Sequence, residues 1–91
     1  MTDSQSPTEK IRIERVQTGV RIEKRMLKVL KALAEYLDMS LGDLLEGIVL
    51  HAFEGKPSPL NEDILERVEI LKQVYDMDYD SSAAHNFEEI N

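Results

Sequence analysis

Residues 16–53 read VQTGVRIEKRMLKVLKALAEYLDMSLGDLLEGIVLHAF, and the spacing of the apolar side chains changes along this stretch. Residues 16–22 alternate between β-branched and polar positions, with Val16, Thr18, Val20 and Ile22 in one phase, which is typical of a short β-strand with one buried face. Residues 23–37 carry apolar side chains at helical spacing and keep their lysines outside that stripe. The sequence therefore predicts a strand followed directly by an amphipathic helix.

A second helix is predicted over residues 41–53. Ser40 is a favourable N-cap, and Asp43 follows three positions later as in a capping box. Gly55 supplies a stop signal, with Pro57 beyond it. Apolar residues cover most of the circumference of this helix, which predicts burial between subunits.

The flanking regions complete the predicted organisation. Residues 1–9 are polar and without periodicity, and we expect a disordered lead. Residues 10–55 form the main domain, and residues 56–91 contain a linker, a third helix capped by Asn61 and extending to about Tyr75, and an acidic tail. We expect the third helix to pack on the dimer core or on a neighbouring dimer, which would give a higher-order oligomer, and mainly the residues after Asp76 to remain mobile.

Length and composition exclude several classes of protein. The chain has 91 residues and no cysteine, so it has neither a disulfide scaffold nor a cysteine zinc module. It lacks an apolar run of the ~20 residues that a membrane span needs, and it shows no secretion signal, so we expect a cytoplasmic protein without a membrane partner. A domain of this size commonly completes its core with another subunit.

The net charge of −7 hides a division of the chain. Residues 10–31 carry eight lysines or arginines against two glutamates, a net charge of +6, whereas residues 32–91 carry a net charge of −11. Such an asymmetry is typical of a protein with a nucleic-acid-facing end and an acidic end with another task, although a solvated basic helix beside an acidic tail would look the same.

The order of these elements resembles the ribbon-helix-helix DNA-binding family of Arc- and CopG-type repressors. The resemblance covers residues 16–53 and includes spacing, because Arg21 lies nineteen positions before Ser40. It implies a mainly α fold with one short β-strand, a ribbon-helix-helix homodimer to which this chain adds a C-terminal helix. Two antiparallel strands, one from each subunit, would insert into the major groove of double-stranded DNA.

The resemblance also assigns roles to residues of this chain. Base-reading positions would be Gln17, Gly19 and Arg21, and the phosphate clamp at the second helix would be Ser40, Leu41 and Gly42. Lys24, Arg25 and Lys28 would add phosphate contacts that position the protein without reading sequence. The dimer core would contain Val20, Ile22, Leu30, Leu33, Leu45, Ile48 and Val49. Two departures stand against this pattern, because Gly19 offers no side chain and Asp43 repels phosphate.

The sequence gives little support for metal binding or for catalysis. Asp76, Asp78 and Asp80 resemble the start of a calcium loop, but Ser81 stands where that loop needs glycine. His51 and His85 lack partners at ligand spacing, and no catalytic arrangement is recognisable, so we expect no metal, no cofactor and no enzyme. Two hypotheses remain: a homodimeric transcriptional regulator that binds DNA, or a dimeric interaction module that has lost DNA binding and contacts a protein partner through its acidic C-terminal segment.

Overall fold

The structure, a computed structural model, describes residues 10–90 and contains three helices of equal length. Helix α1 spans Lys24–Tyr36, α2 spans Leu41–Phe53 and α3 spans Glu62–Val74, and a 3₁₀ turn follows at Ser81–Ala83. Each α-helix has 13 residues and is therefore about 20 Å long. None of the helices in residues 10–90 has the length and apolar character needed to cross a membrane.

Each α-helix begins at a side chain that caps it. The capping oxygen accepts the backbone N–H of the residue three positions later, which satisfies one of the free donors of the first turn. Glu23 accepts from the amide of Met26 at 2.9 Å, Ser40 from that of Asp43 at 3.1 Å and Asn61 from that of Ile64 at 2.9 Å. The predictions for Ser40 and Asn61 are confirmed, whereas the cap of α1 is a glutamate that the sequence did not mark.

Each α-helix also ends in the same way, at a residue in the left-handed region. Asp38, Gly55 and Asp76 have φ values of 59°, 66° and 56°. The next residue then donates its backbone N–H to a carbonyl five positions earlier, as in a Schellman motif. These bonds are Met39 to Ala34 at 3.0 Å, Lys56 to His51 at 2.9 Å and Met77 to Lys72 at 2.8 Å. Only Gly55 adopts this conformation without a Cβ penalty.

The core lies where α1 contacts the other two helices. Leu33 and Ala34 of α1 and Leu44 of α2 are buried together. Helix α3 supplies partly buried side chains to this cluster, as do the flanking positions of α1 and α2 and the linker: Leu30, Leu37, Ile48, Leu60, Ile64, Val68 and Leu71. The contact of α1 with α3 continues at the surface, where the Arg67 guanidinium lies 4.6 Å from the centre of the Tyr36 ring. The third helix therefore packs on the core, as its apolar stripe predicts.

The predicted β-strand at residues 16–22 is wrong, and so is the ribbon-helix-helix fold built on it. Residues 10–22 (the N-terminal segment) have no secondary structure, and all of their side chains are exposed. None of their backbone groups forms a hydrogen bond with another described residue. The alternating β-branched pattern expresses a local preference, but a strand needs a neighbouring strand for its N–H and C=O groups, and the rest of the described chain forms helices and the segments that connect them. The predicted disorder of residues 1–9 lies outside the described residues.

Candidate nucleic-acid interface

The basic residues of α1 form a ridge along its exposed side. Lys24, Lys28 and Lys31 follow one another at spacings of four and three residues, which places them on one face of the helix, and all three are exposed. The buried face of the same helix carries Val29 and Leu33. The amphipathic pattern that packs α1 into the core therefore also directs three ammonium groups into solvent.

The N-terminal segment, which precedes α1 in the chain, carries further cations. Lys10, Arg12 and Arg21 are exposed on it, as is the predicted base-reading residue Gln17. Gly19 is exposed as well, and the space that a Cβ would enter is open. The structure therefore leaves Gln17 and Gly19 accessible on a segment that does not form the predicted strand, whereas Arg21 forms an ion pair with Glu89.

Arg15 ties the N-terminal segment to α2. Its guanidinium donates to the Glu46 carboxylate through Nε at 3.0 Å and through Nη2 at 2.8 Å, and Nη2 lies 3.2 Å from Asp43 Oδ1. The hydrogen bond and charge of Arg15 lower the pKa of the Glu46 carboxyl below its usual value. No motif in the sequence assigns Arg15 a role, and only its charge, opposite to that of the acids of α2, is a signal for this contact.

The predicted phosphate clamp lies at the beginning of α2. Ser40 and Gly42 are exposed and Leu41 is half-buried. The Ser40 hydroxyl accepts the Asp43 amide, which removes that donor from the set available to an anion. Asp43 points its carboxylate towards Arg15, so one negative charge of this turn is compensated within the chain.

Arg25 is held by a different set of partners at the beginning of α1. Its Nε donates to Glu23 at 3.0 Å, while Nη1 donates to the Asp76 carbonyl at 3.0 Å and to Asp78 Oδ1 at 3.1 Å. The guanidinium also lies 5.4 Å from the centre of the Tyr79 ring. Of the three predicted phosphate contacts on α1, Lys24 and Lys28 are therefore exposed, whereas Arg25 is engaged by the C-terminal part of the chain.

Glu23 connects the same two regions. Its carboxylate accepts the Met26 amide, the Arg25 Nε–H and the hydroxyl of Tyr79, the last at 2.5 Å. Partial burial acts to raise the pKa of Glu23, but these hydrogen bonds outweigh it and hold the pKa at about 2. Burial, together with the hydrogen bond to Glu23, raises the pKa of Tyr79 to about 12. Sequence reasoning missed both residues, because their contact joins positions 56 residues apart.

The predicted dimer-core residues divide into two groups. Leu33 is buried in the core of the single chain, and Leu30, Leu45 and Ile48 are half-buried. The other three are exposed: Val20 to 80%, Val49 to 41% and Ile22 to 37%. Two residues of α2 outside the predicted set are exposed as well, Leu50 to 58% and Phe53 to 80%. Of the predicted dimer-core residues, those still open to another molecule therefore lie on the C-terminal half of α2 and on the N-terminal segment, while α3 exposes further apolar side chains at Leu65, Ile70 and Val74.

Two further findings bear on the identity of the site. Within residues 10–90, no group of three or more histidine or carboxylate side chains is placed to hold a metal ion. Comparison of the chain with known proteins finds no matching family, no matching curated protein and no matching solved structure. The function is therefore argued from the charges and contacts of this chain alone.

Proposed function

We propose that the chain is a cytoplasmic, homodimeric DNA-binding protein of the transcription-regulator class. One observation carries the proposal: residues 10–31 form one continuous basic stretch of the chain with a net charge of +6, and all of their cations except Arg25 are exposed. A protein that concentrates lysines and arginines in this way has the electrostatic property that phosphate binding needs, even when its overall charge is negative.

The two parts of this basic stretch suit two kinds of contact. Lys24 and Lys28 project from a helix held in the core, so they are suited to phosphates, whose contacts fix position without reading sequence. Gln17 and Arg21 lie on the N-terminal segment, whose backbone forms no hydrogen bond with another described residue and can therefore adapt to a groove. An arginine can form two hydrogen bonds with guanine, and a glutamine can form two with adenine. We therefore assign base reading to these two side chains.

Dimerisation is supported by the size of the core. Among residues 10–90 only Val29, Leu33, Ala34 and Leu44 are buried, which is little for a chain of this length. Leu50 and Phe53 of α2 are exposed beside it, and an apolar face of this kind is typical of an interface. A second copy of the chain is the occupant that we assign to this face, because symmetric self-association completes a small core without another gene product.

A second candidate function rests on the ion pairs within the chain. Arg15, Arg21 and Arg25 already contact carboxylates of the same molecule. In a dimeric protein-binding module these pairs would be structural, and the acidic C-terminal segment would be the working surface. The two candidates differ in whether duplex DNA binds at all.

The deciding experiment is a fluorescence anisotropy titration with random and genomic duplexes, repeated from about 50 to 200 mM salt. We expect Lys28→Ala to weaken binding to every duplex and to reduce the salt slope by about 0.9 for one lost phosphate contact. Lys56→Ala is the matched control, because it removes the same charge from the linker after α2, where Lys56 pairs with Glu54. Equal effects of the two substitutions, or no binding by the wild type at the lowest salt concentration, would contradict the proposal.

The dimer is tested separately by sedimentation equilibrium at micromolar concentration. Phe53→Ser should shift the equilibrium towards monomer while the chain stays helical, because Phe53 is 80% exposed within one chain. Ile70→Ser on α3 provides the control, since Ile70 is exposed to 50% but lies outside the proposed interface. A wild-type monomer under these conditions would remove dimerisation from the proposal.

A further inference from the structure

Residues 76–90 (the acidic strap) lie against the beginning of α1, where they engage two of its basic neighbours. Asp78 and the carbonyl of Asp76 both accept from Arg25. Glu89 forms an ion pair with Arg21, the proposed base-reading arginine. The sequence led us to expect a mobile tail, but the strap contacts the cations that distinguish the basic part of the chain.

Contacts that do not depend on net charge fix the position of the strap. The Tyr79 ring lies under the Arg25 guanidinium, and its hydroxyl donates to Glu23, the cap of α1. The Phe87 ring packs edge-on against Tyr79 with 5.3 Å between the ring centres. An acidic tail that acted only through its average charge would not need these aromatic contacts, so the strap is a docked element with a defined register.

The strap and a DNA phosphate require the same donors. A phosphate at Arg25 would compete with the oxygens of Asp76 and Asp78 for the Nη1 hydrogens, and a base edge or phosphate at Arg21 would compete with Glu89. The negative charges of Asp78 and Glu89 would also repel any phosphate that approached these arginines. DNA and the docked strap therefore exclude each other at these two side chains.

We propose that the acidic strap is an intramolecular competitor of DNA that must leave Arg21 and Arg25 before the protein binds a duplex fully. This inference rests on the proposed function. The contacts are exposed ion pairs and a single aromatic pair, which are individually weak, so the strap is displaced by a polyanion and does not block binding outright. We expect its removal to raise DNA affinity roughly 5- to 30-fold at low salt.

The test uses the full chain with Asp78→Asn and Glu89→Gln together, which removes both charges and retains Tyr79. The control carries Asp63→Asn and Glu66→Gln, which change the net charge by the same amount in the first half of α3, the end of that helix remote from the strap. Anisotropy titrations with a random-sequence duplex should show tighter binding for the strap variant than for the control. Thermal melting followed by circular dichroism establishes that both variants fold.

A second measurement reports on the strap itself. Addition of duplex to the wild type should move the NMR signals of the Tyr79 and Phe87 rings towards their positions in the Asp78→Asn, Glu89→Gln variant. If the wild type binds DNA and the strap variant and the control bind it with equal affinity, the proposal that the strap competes with DNA is wrong, and the proposed function still stands. Absence of duplex binding by the wild type, whether or not a variant binds, would overturn both, because the strap is proposed to be displaced by a polyanion.

Discussion

Glu23→Gln should destabilise the protein near neutral pH and leave its stability in acid almost unchanged. The carboxylate caps α1 and accepts hydrogen bonds from Arg25 and Tyr79, and its pKa in the folded chain is about 2, compared with 4.5 in the unfolded chain. A group whose pKa is lower in the folded state stabilises the fold above its unfolded pKa, and this contribution is lost as the pH falls from about 4.5 towards 2. Glutamine keeps a capping oxygen but cannot lose a proton, so the variant lacks this acid-dependent contribution.

The expected magnitude follows from the two pKa values. A decrease from 4.5 to about 2 corresponds to a stabilisation on the order of 3 kcal/mol if the whole shift is realised. The side chain of Glu23 is 22% exposed, so screening by water reduces the contribution, and we expect about 1 to 2 kcal/mol at neutral pH. This is a large fraction of the stability of a domain with so few buried side chains.

Urea unfolding followed by far-ultraviolet circular dichroism at several pH values between about 7 and 2.5 measures the effect. Glu35→Gln provides the matched control, because Glu35 is exposed on the same helix and the substitution removes the same charge. The difference between the wild type and Glu23→Gln should narrow steadily as the pH falls, while Glu35→Gln should follow the wild type. A difference that is equally large at neutral and acid pH would refute the argument, because it would then come from packing and not from the ionised carboxylate.

Two further predictions concern the core and the helix ends. Leu33→Ala should lower the free energy of unfolding by about 2 to 5 kcal/mol, because Leu33 is 2% exposed at the contact of α1 with its neighbours, and urea unfolding will measure this. Gly55→Ala should destabilise by about 1 kcal/mol, since alanine is strained at the φ of 66° that ends α2. Gly47 lies inside the same helix with open space around it, so Gly47→Ala should instead stabilise the protein by a similar amount. Thermal melting measures both variants, and effects of the same sign on stability would contradict the assignment of the left-handed cap.

The helices could be predicted from the sequence because their signals are local. The apolar spacing, the Ser40 and Asn61 caps and the Gly55 stop act within a few residues of each helix, and the structure has them in place. The N-terminal segment could not be predicted in this way. Its alternating pattern is compatible with a strand, but a strand is a pairing between segments, and residues 10–90 contain no second strand with which it could pair.

The candidate site was predictable only in part for a related reason. The uneven charge distribution marks residues 10–31 as basic, but it does not say which cations are paired. The contacts of Arg25 with Asp78 and of Arg21 with Glu89 join distant positions, and nothing in the spacing of these residues indicates them. Glu23 was read as one of two acids in a basic stretch, whereas the fold makes it both a helix cap and the anchor of Tyr79.

The N-terminal segment has a thermodynamic consequence for recognition. Because none of its backbone groups is bonded to another described residue, binding along a groove would restrict φ and ψ angles that are unconstrained by backbone pairing in the unbound protein. Each residue fixed in this way opposes association by about 1 to 2 kcal/mol of conformational entropy. Calorimetry should therefore show a favourable enthalpy offset by a large unfavourable entropy, and the complex should be selective without being long-lived.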